Sequence, residues 1–153
     1  MAIFHLSTTT ISRKSGRTSV AAAAYRAGQK LHDQRTDKTH DYTKKKGVVF
    51  SDCFMFKDGQ KIELDRASLW NKAEQSEKRA DARTAREIIV NLPHELDEQQ
   101  RQNLVEEFSE NLAKKYQIAI DYAIHLPNTQ GDDRNHHAHI LMTTRQAALS
   151  ENS

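Results

Sequence analysis

The stretch AIFHLSTT alternates with a period of two. Ala2, Phe4 and Leu6 fall on one face and Ile3, His5 and Ser7 on the other, which predicts a strand. The polar turn SRKSGR follows, and Thr18 or Ser19 can cap a helix running to about Leu31. KKKGVVFSDCFMF reads as a β segment closed by the turn KDGQ. Asp65 can cap a second helix over Ala67, Leu69, Trp70 and Ala73. AREIIVNLP is a strand stopped by Pro93. Asp97 can cap a third helix, with Leu104, Val105, Phe108 and Leu112 at helical spacing. QIAIDYAIHLP and HAHILMTT are two further strands joined by a loop of roughly ten residues. The order β, α, β pair, α, β, α, β, β predicts an α+β fold: a mainly antiparallel sheet, helices packed on one face, the other face open.

Strand parity sorts the chemistry. In the last strand Ala138, Ile140 and Met142 face one way and His137 and His139 the other. In the strand before it, Ile118, Ile120, Tyr122 and Ile124 oppose Ala119, Asp121, Ala123 and His125. In AREIIVNLP, Ile88, Val90 and Leu92 oppose Glu87 and Asn91. In a shared sheet His125, His137 and His139 lie on one face, with Glu87, His5, Ser7 and Asp121 as possible neighbours. Two imidazoles at i and i+2 project in parallel and can grip one ion, and a third from an adjoining strand completes a triad with positions open for substrate. An isolated His-x-His pair is also common on plain surfaces. His136 faces away from the triad.

In the first helix Val20, Ala24, Ala27 and Leu31 recur at core spacing. At about 100° per residue, Tyr25 lies roughly 140° from Val20. Among the small residues Ala21 and Gly28, its hydroxyl has room for a substrate, although a lone helical tyrosine more often only packs.

Length and composition change the picture little: 153 residues, 37% apolar and 29% charged, suit one polar, foldable domain. No apolar run approaches membrane-span length, and the start lacks a signal-peptide pattern. The single Cys53 excludes an internal disulfide and fits a reducing cytoplasm. Charge is more informative. The net +2 conceals a basic N-terminal third: residues 1–48 hold ten Lys/Arg against three Asp/Glu, the remainder thirteen against eighteen. A local basic surface suggests an anionic partner, nucleic acid first. Arg13, Lys14, Arg17, Arg26, Lys44, Lys45 and Lys46 are candidates for phosphate contacts.

Taken together, MAIFHLS, SVAAAAYRAGQKL, DYTKKKGV, LWNKAEQSEKRADARTAREIIVNLP, YAIHLP and HHAHILMTTR resemble the MobA/MobL family of plasmid relaxases, members of the HUH group of single-strand DNA nickases. His-Ala-His has the histidine–hydrophobic–histidine form that names the group. The resemblance implies a relaxase domain over 1–145 and a flexible tail over 146–153 leading toward a C-terminal region. It implies that Tyr25 attacks the scissile phosphate at a plasmid transfer origin, giving a 5′-phosphotyrosyl link and a free 3′-hydroxyl. One divalent metal on His125, His137 and His139 would polarise that phosphate. Three imidazoles suit Mn, Zn or Ni better than Mg by ligand type. Glu87, by its place in the family pattern, would support a ligand histidine or transfer a proton. The partners implied are single-stranded origin DNA, relaxosome proteins and a conjugative secretion system, in the bacterial cytoplasm and without membrane insertion. Some relaxases carry paired tyrosines; here Tyr25 stands alone in its helix, and Tyr42 is expected to stack on a base or pack. A replication initiator of the same group, or a metal-independent single-strand binding module, would be read from much the same residues.

Overall fold

The computed structural model describes residues 5–127 and 134–144, leaving aside the side chains of His5 and Ser15. The expected tail over 146–153 and the positions Ala2, Ile3 and Phe4 lie outside the described residues. The chain runs β1 (His5–Ser12), a short 3-10 turn (Arg13–Ser15), α1 (Ser19–Ala27), β2 (Lys30–Asp33), β3 (Lys38–Asp41), β4 (Val48–Lys57), β5 (Gln60–Glu63), α2 (Arg66–Gln75), β6 (Arg83–Leu92), α3 (Glu98–Tyr116), β7 (Ile120–His125) and β8 (His136–Met142). Six strands form one sheet in the order β1-β6-β8-β7-β4-β5, and every neighbouring pair is antiparallel. The α+β, antiparallel expectation holds, and the two histidine-bearing strands are the central ones.

The face carrying Ile88, Val90, Leu92, Ile120, Tyr122, Ile140 and Met142 packs against Val105 and Ala113 of α3. The helices do not all share that face, as the sequence led us to expect. On the opposite face Ile11, Ala85 and Leu141 pack against Val20, Ala23 and Ala24 of α1 and Trp70 of α2. These strand residues are apolar where the pattern suggested an open polar face, and the alanines of α1 let its backbone come close. The cover is partial, because the odd positions of β1, β6 and β8 that pack under α1 and α2 (Ile11, Ala85 and Leu141) lie at only one end. At the other end Ile89, Asn91, His137 and His139 stay partly exposed.

All three helix caps are the expected ones: Thr18, Asp65 and Asp97 accept from the backbone N–H of Ala21, Ser68 and Gln100. Helix α1 stops short of Leu31. Gly28 adopts a left-handed φ of 66°, and its N–H bonds to the Ala24 carbonyl. A Cβ there would meet Val48 Cγ2 at 3.3 Å, so the glycine also permits a close approach. Leu31 is buried, but from a strand: β2 and β3 form a separate two-stranded hairpin that the sequence reading missed. Its turn is held by Asp33 Oδ1, which accepts from the N–H of Arg35 and Thr36. The paired stretches KLHD and KTHD are too short and polar to show alternation. Within the described residues strand β1 runs on to Ser12, past the expected end at Thr9, and Leu6 is left 45% exposed on the sheet edge. Among the described residues no helix is long and apolar enough to cross a membrane.

Candidate active site

His125 and His137 are direct cross-strand partners, and His139 lies two residue pairs further along, opposite Ala123. The three rings converge, with centroids 4.8 Å (His125–His139) and 5.2 Å (both other pairs) apart. One nitrogen from each lies within 4.8 Å of the others, so the triad could hold a metal ion. Each ring is also oriented from behind. His125 Nε2 donates to the Arg26 carbonyl at 2.8 Å, His137 Nδ1 to the Asn135 carbonyl at 3.0 Å, and His139 Nδ1 to Glu87 Oε2 at 2.8 Å. Those acceptors decide which nitrogen carries the proton. In the neutral rings a lone pair remains on Nδ1 of His125 and on Nε2 of His137 and His139. Burial pushes the pKa of His125 down to about 4, against the pull of its bond to Arg26, and burial likewise lowers that of His137. Both are therefore neutral near pH 7, the form that ligation requires.

Arg26 joins this triad to α1. Its guanidinium grips Glu87 with Nε on Oε2 and with Nη2 on Oε1 at 3.0 Å, while Nη1 donates to the Ala22 carbonyl. Glu87 is 1% exposed. Burial alone would raise its pKa, but the bonds from His139 and Arg26 prevail and hold it at about 2. It is a fixed anion at neutral pH, which suits it to orient His139 and leaves it poorly matched to proton transfer. Glu87 is paired with Thr9 of β1, whereas Ser7 is paired with Ile89. Asp121, expected as a possible neighbour of the histidines, is instead buried beneath α2, where it accepts from Arg66 Nε and Trp70 Nε1.

Tyr25, the residue before Arg26, is 48% exposed on the far side of α1 from Val20 and Ala24. Tyr42 meets its ring edge-on at 5.1 Å. The Lys45 ammonium sits 3.6 Å from the ring centroid and donates to the Tyr25 carbonyl. Tyr25 and Arg26 line a cleft of about 880 Å³. Its other walls are the loop before α1 (Arg17), the β2–β3 hairpin (Arg35, Lys38, His40) and the loop after α2 (Lys78, Arg79).

The MobA/MobL family model matches residues 17–152. The chain belongs to the MobA/MobL family. It is 46% identical over 132 residues to the mobilization protein MobL of Acidithiobacillus ferridurans, covering 86% of this chain and 34% of that protein. It is 36% identical to the conjugal transfer protein TraA of Rhizobium radiobacter (95% of this chain, 14% of TraA). It is equally identical to the probable mobilization protein MobA of Bifidobacterium longum (95% and 25%). The chain thus spans about a third or less of the length of these relatives. A solved structure from work on the molecular basis of vancomycin resistance transfer in Staphylococcus aureus superposes with a TM-score of 0.84 at 30% identity, covering 99% of this chain and 74% of that one.

Within this MobA/MobL chain the basic candidates part company. Lys14, Arg17, Lys44 and Lys46 are exposed. Arg13 turns inward, its side chain only 6% exposed: Nε pairs with the buried Glu74 at 2.9 Å, and Nη1 donates to the carbonyls of Glu77 and Arg79. Arg26 is taken up by Glu87, and Lys45 by Tyr25. Arg35, Lys38, Lys78 and Arg79, which the sequence reading did not single out, line the cleft alongside Arg13, Arg17 and Arg26. Their only signal was charge, and the hairpin that carries two of them had no pattern.

Proposed function

We propose that this chain is a DNA relaxase domain that nicks single-stranded plasmid transfer-origin DNA through Tyr25. The observation that carries the reading is Arg26. It follows Tyr25 on α1, accepts from His125 through its carbonyl, and reaches His139 through Glu87. An exposed phenol that lines a basic cleft is thereby tied to a three-histidine cluster. In this reading the Tyr25 hydroxyl attacks the scissile phosphorus. The P–O3′ bond breaks, the phenolic proton is released, and the products are a 5′-phosphotyrosyl link and a free 3′-hydroxyl. The covalent link conserves the phosphodiester energy for rejoining, so no ATP is needed.

His125, His137 and His139 would hold one divalent ion, which when bound supplies Lewis-acid polarisation of the phosphate oxygens. An all-imidazole set favours Mn, Zn or Ni over Mg. Glu87 keeps the His139 ring oriented, and Arg26 keeps Glu87 in place. The exposed Arg17, Lys38, Lys78 and Arg79 of the cleft would contact the backbone of an extended strand. The relatives' names, mobilization and conjugal transfer, favour a transfer origin over a replication origin as the substrate. Relaxosome proteins and a conjugative secretion system would then be the partners, in a bacterial cytoplasm.

The test is covalent capture. An oligonucleotide bearing the origin is incubated with protein and Mn²⁺, and adducts are resolved on a denaturing gel. Adduct should form with the wild type, vanish in Tyr25→Phe and vanish with EDTA. Adduct formation by Tyr25→Phe would move the nucleophile elsewhere. Salt-sensitive retention without any adduct would make the chain a binding module.

A further inference from the structure

Lys45 stands apart from its neighbours Lys44 and Lys46, which are exposed, because its ammonium lies against the Tyr25 ring. At 3.6 Å from the centroid it lies well within cation–π range, and its bond to the Tyr25 carbonyl at 2.9 Å fixes it a second time. The segment that carries it is pinned along its length. Tyr42 N–H donates to the Gln29 carbonyl just past α1, and Lys45 N–H to the Tyr42 carbonyl. Asp41 Oδ1 accepts from both the N–H and the hydroxyl of Thr43. At the far end the Gly47 carbonyl accepts from Leu126 N–H, directly after His125, and Gly47 takes a left-handed φ of 91° to do so. Residues 42–47 therefore strap the C-terminal end of α1 to the end of β7. Tyr42 contributes its ring edge to Tyr25 from the same strap. The Lys45 ammonium is partly desolvated there, and burial first, then the charge of Arg26, lowers its pKa.

We propose that Lys45 is a positioning residue for Tyr25: its ammonium holds the ring in place and offsets the negative charge that gathers on the phenolic oxygen during attack on a phosphodiester. The proposal rests on Tyr25 as the nucleophile. It differs from the sequence-based expectation that Lys45 grips a phosphate. A backbone contact acts on affinity and its salt dependence, whereas a charge stacked on the nucleophile acts on the rate of the bound complex.

The test compares Lys45→Met, which keeps the apolar stem, with Lys45→Arg, which restores a cation able to stack. Adduct formation is timed in single turnover at saturating origin oligonucleotide and Mn²⁺. Affinity is measured by anisotropy in the Tyr25→Phe background, across a salt series, and thermal melts verify the fold. Lys45→Met should slow the saturated rate about tenfold, the size expected for a desolvated cation–π contact. Its affinity should stay within about twofold of the parent and its salt slope unchanged, and Lys45→Arg should recover most of the rate. An unchanged saturated rate in Lys45→Met overturns the proposal, as does a salt slope reduced by about one with the rate intact, which marks a phosphate contact. An arginine variant as slow as the methionine one, with both melting like the parent, overturns the role of charge. Should Lys45→Met fail to fold, the proposal stands or falls on whether Lys45→Arg keeps most of the parent rate. Adduct formation by Tyr25→Phe defeats the nucleophile assignment itself, an outcome distinct from each of these.

Discussion

Replacing Glu87 by Gln keeps the shape of the side chain and removes its charge. Oε2 now accepts from both Arg26 Nε and His139 Nδ1, and Oε1 accepts from Arg26 Nη2. An amide oxygen can take over only one of these two positions, and the NH₂ group then faces a donor. The smallest loss leaves the oxygen at the shared position and abandons the bond to Nη2, about 1.5–3 kcal/mol for a charge-assisted hydrogen bond. The Arg26 guanidinium, with its side chain 15% exposed, also loses its counter-ion. Proton linkage gives a second route to the magnitude. A carboxyl held at about 2 in place of its ordinary 4.5 contributes about 3 kcal/mol, present above pH 4.5 and lost as pH falls toward 2. We therefore expect Glu87→Gln to lower unfolding free energy by about 2–4 kcal/mol at pH 7, out of the 5–15 usual for a domain, so the protein stays folded. Metal affinity should fall about 10- to 100-fold, because His139 loses the acceptor that sets its tautomer. Urea denaturation of the metal-free protein measures the first effect, and competition with a fluorescent chelator the second. Full metal affinity alongside the expected loss of stability would refute the orienting role and leave Glu87 as a purely structural ion pair. Arg26→Gln in a double-mutant cycle should show coupling of about 0.5–3 kcal/mol, and strict additivity would contradict the described network.

Three further outcomes follow from the same geometry. His137→Ala and His139→Ala should each abolish stoichiometric metal by elemental analysis and nearly all adduct, whereas His136→Ala, on the α3 face of β8, should keep most of both; metal retained in His139→Ala would contradict the triad. Metal-free protein should lose stability as pH falls from 6.5 to about 4, because folded His125 resists the proton that the unfolded chain accepts; the loss is up to roughly 3 kcal/mol by urea titration, and a flat profile would refute it. Arg13→Ala should cost about 1.5–3 kcal/mol of stability, because the buried Glu74 loses one charge-assisted partner while keeping Arg35 and Ser19, whereas Arg17→Ala should melt like the parent and weaken DNA binding with a shallower salt slope; the reverse result would mean the two arginines have been exchanged in role.

Much of this was legible in the chain. Period-two alternation marked β6, β7 and β8, short polar caps marked the three helix starts, and parity alone grouped His125, His137 and His139 and set His136 apart. These are local properties, fixed by the stereochemistry of neighbouring residues. The β2–β3 hairpin escaped because its strands are four residues each and polar, so no face is marked by apolar side chains. The halves of the histidine-bearing face, one covered by α1 and α2 and one left open, depended on where Ile11, Ala85 and Leu141 fall in register.

Fates of identical residue types were the least legible. Arg13 and Arg17 sit four positions apart in one basic stretch, yet the side chain of one is buried on Glu74 and the other stays exposed. Lys45 differs from Lys44 and Lys46 only through a ring that lies twenty residues away in sequence. Glu87 meets Arg26 across 61 residues and His139 across 52, and Arg26 meets His125 across 99. The chain by itself determined which residues could share a strand face or a helix side, because backbone geometry repeats every two or 3.6 residues. Only the tertiary structure decided which of them meet, because a charge's partner is selected by strand register and burial, and neither is written in the spacing of residues along the chain.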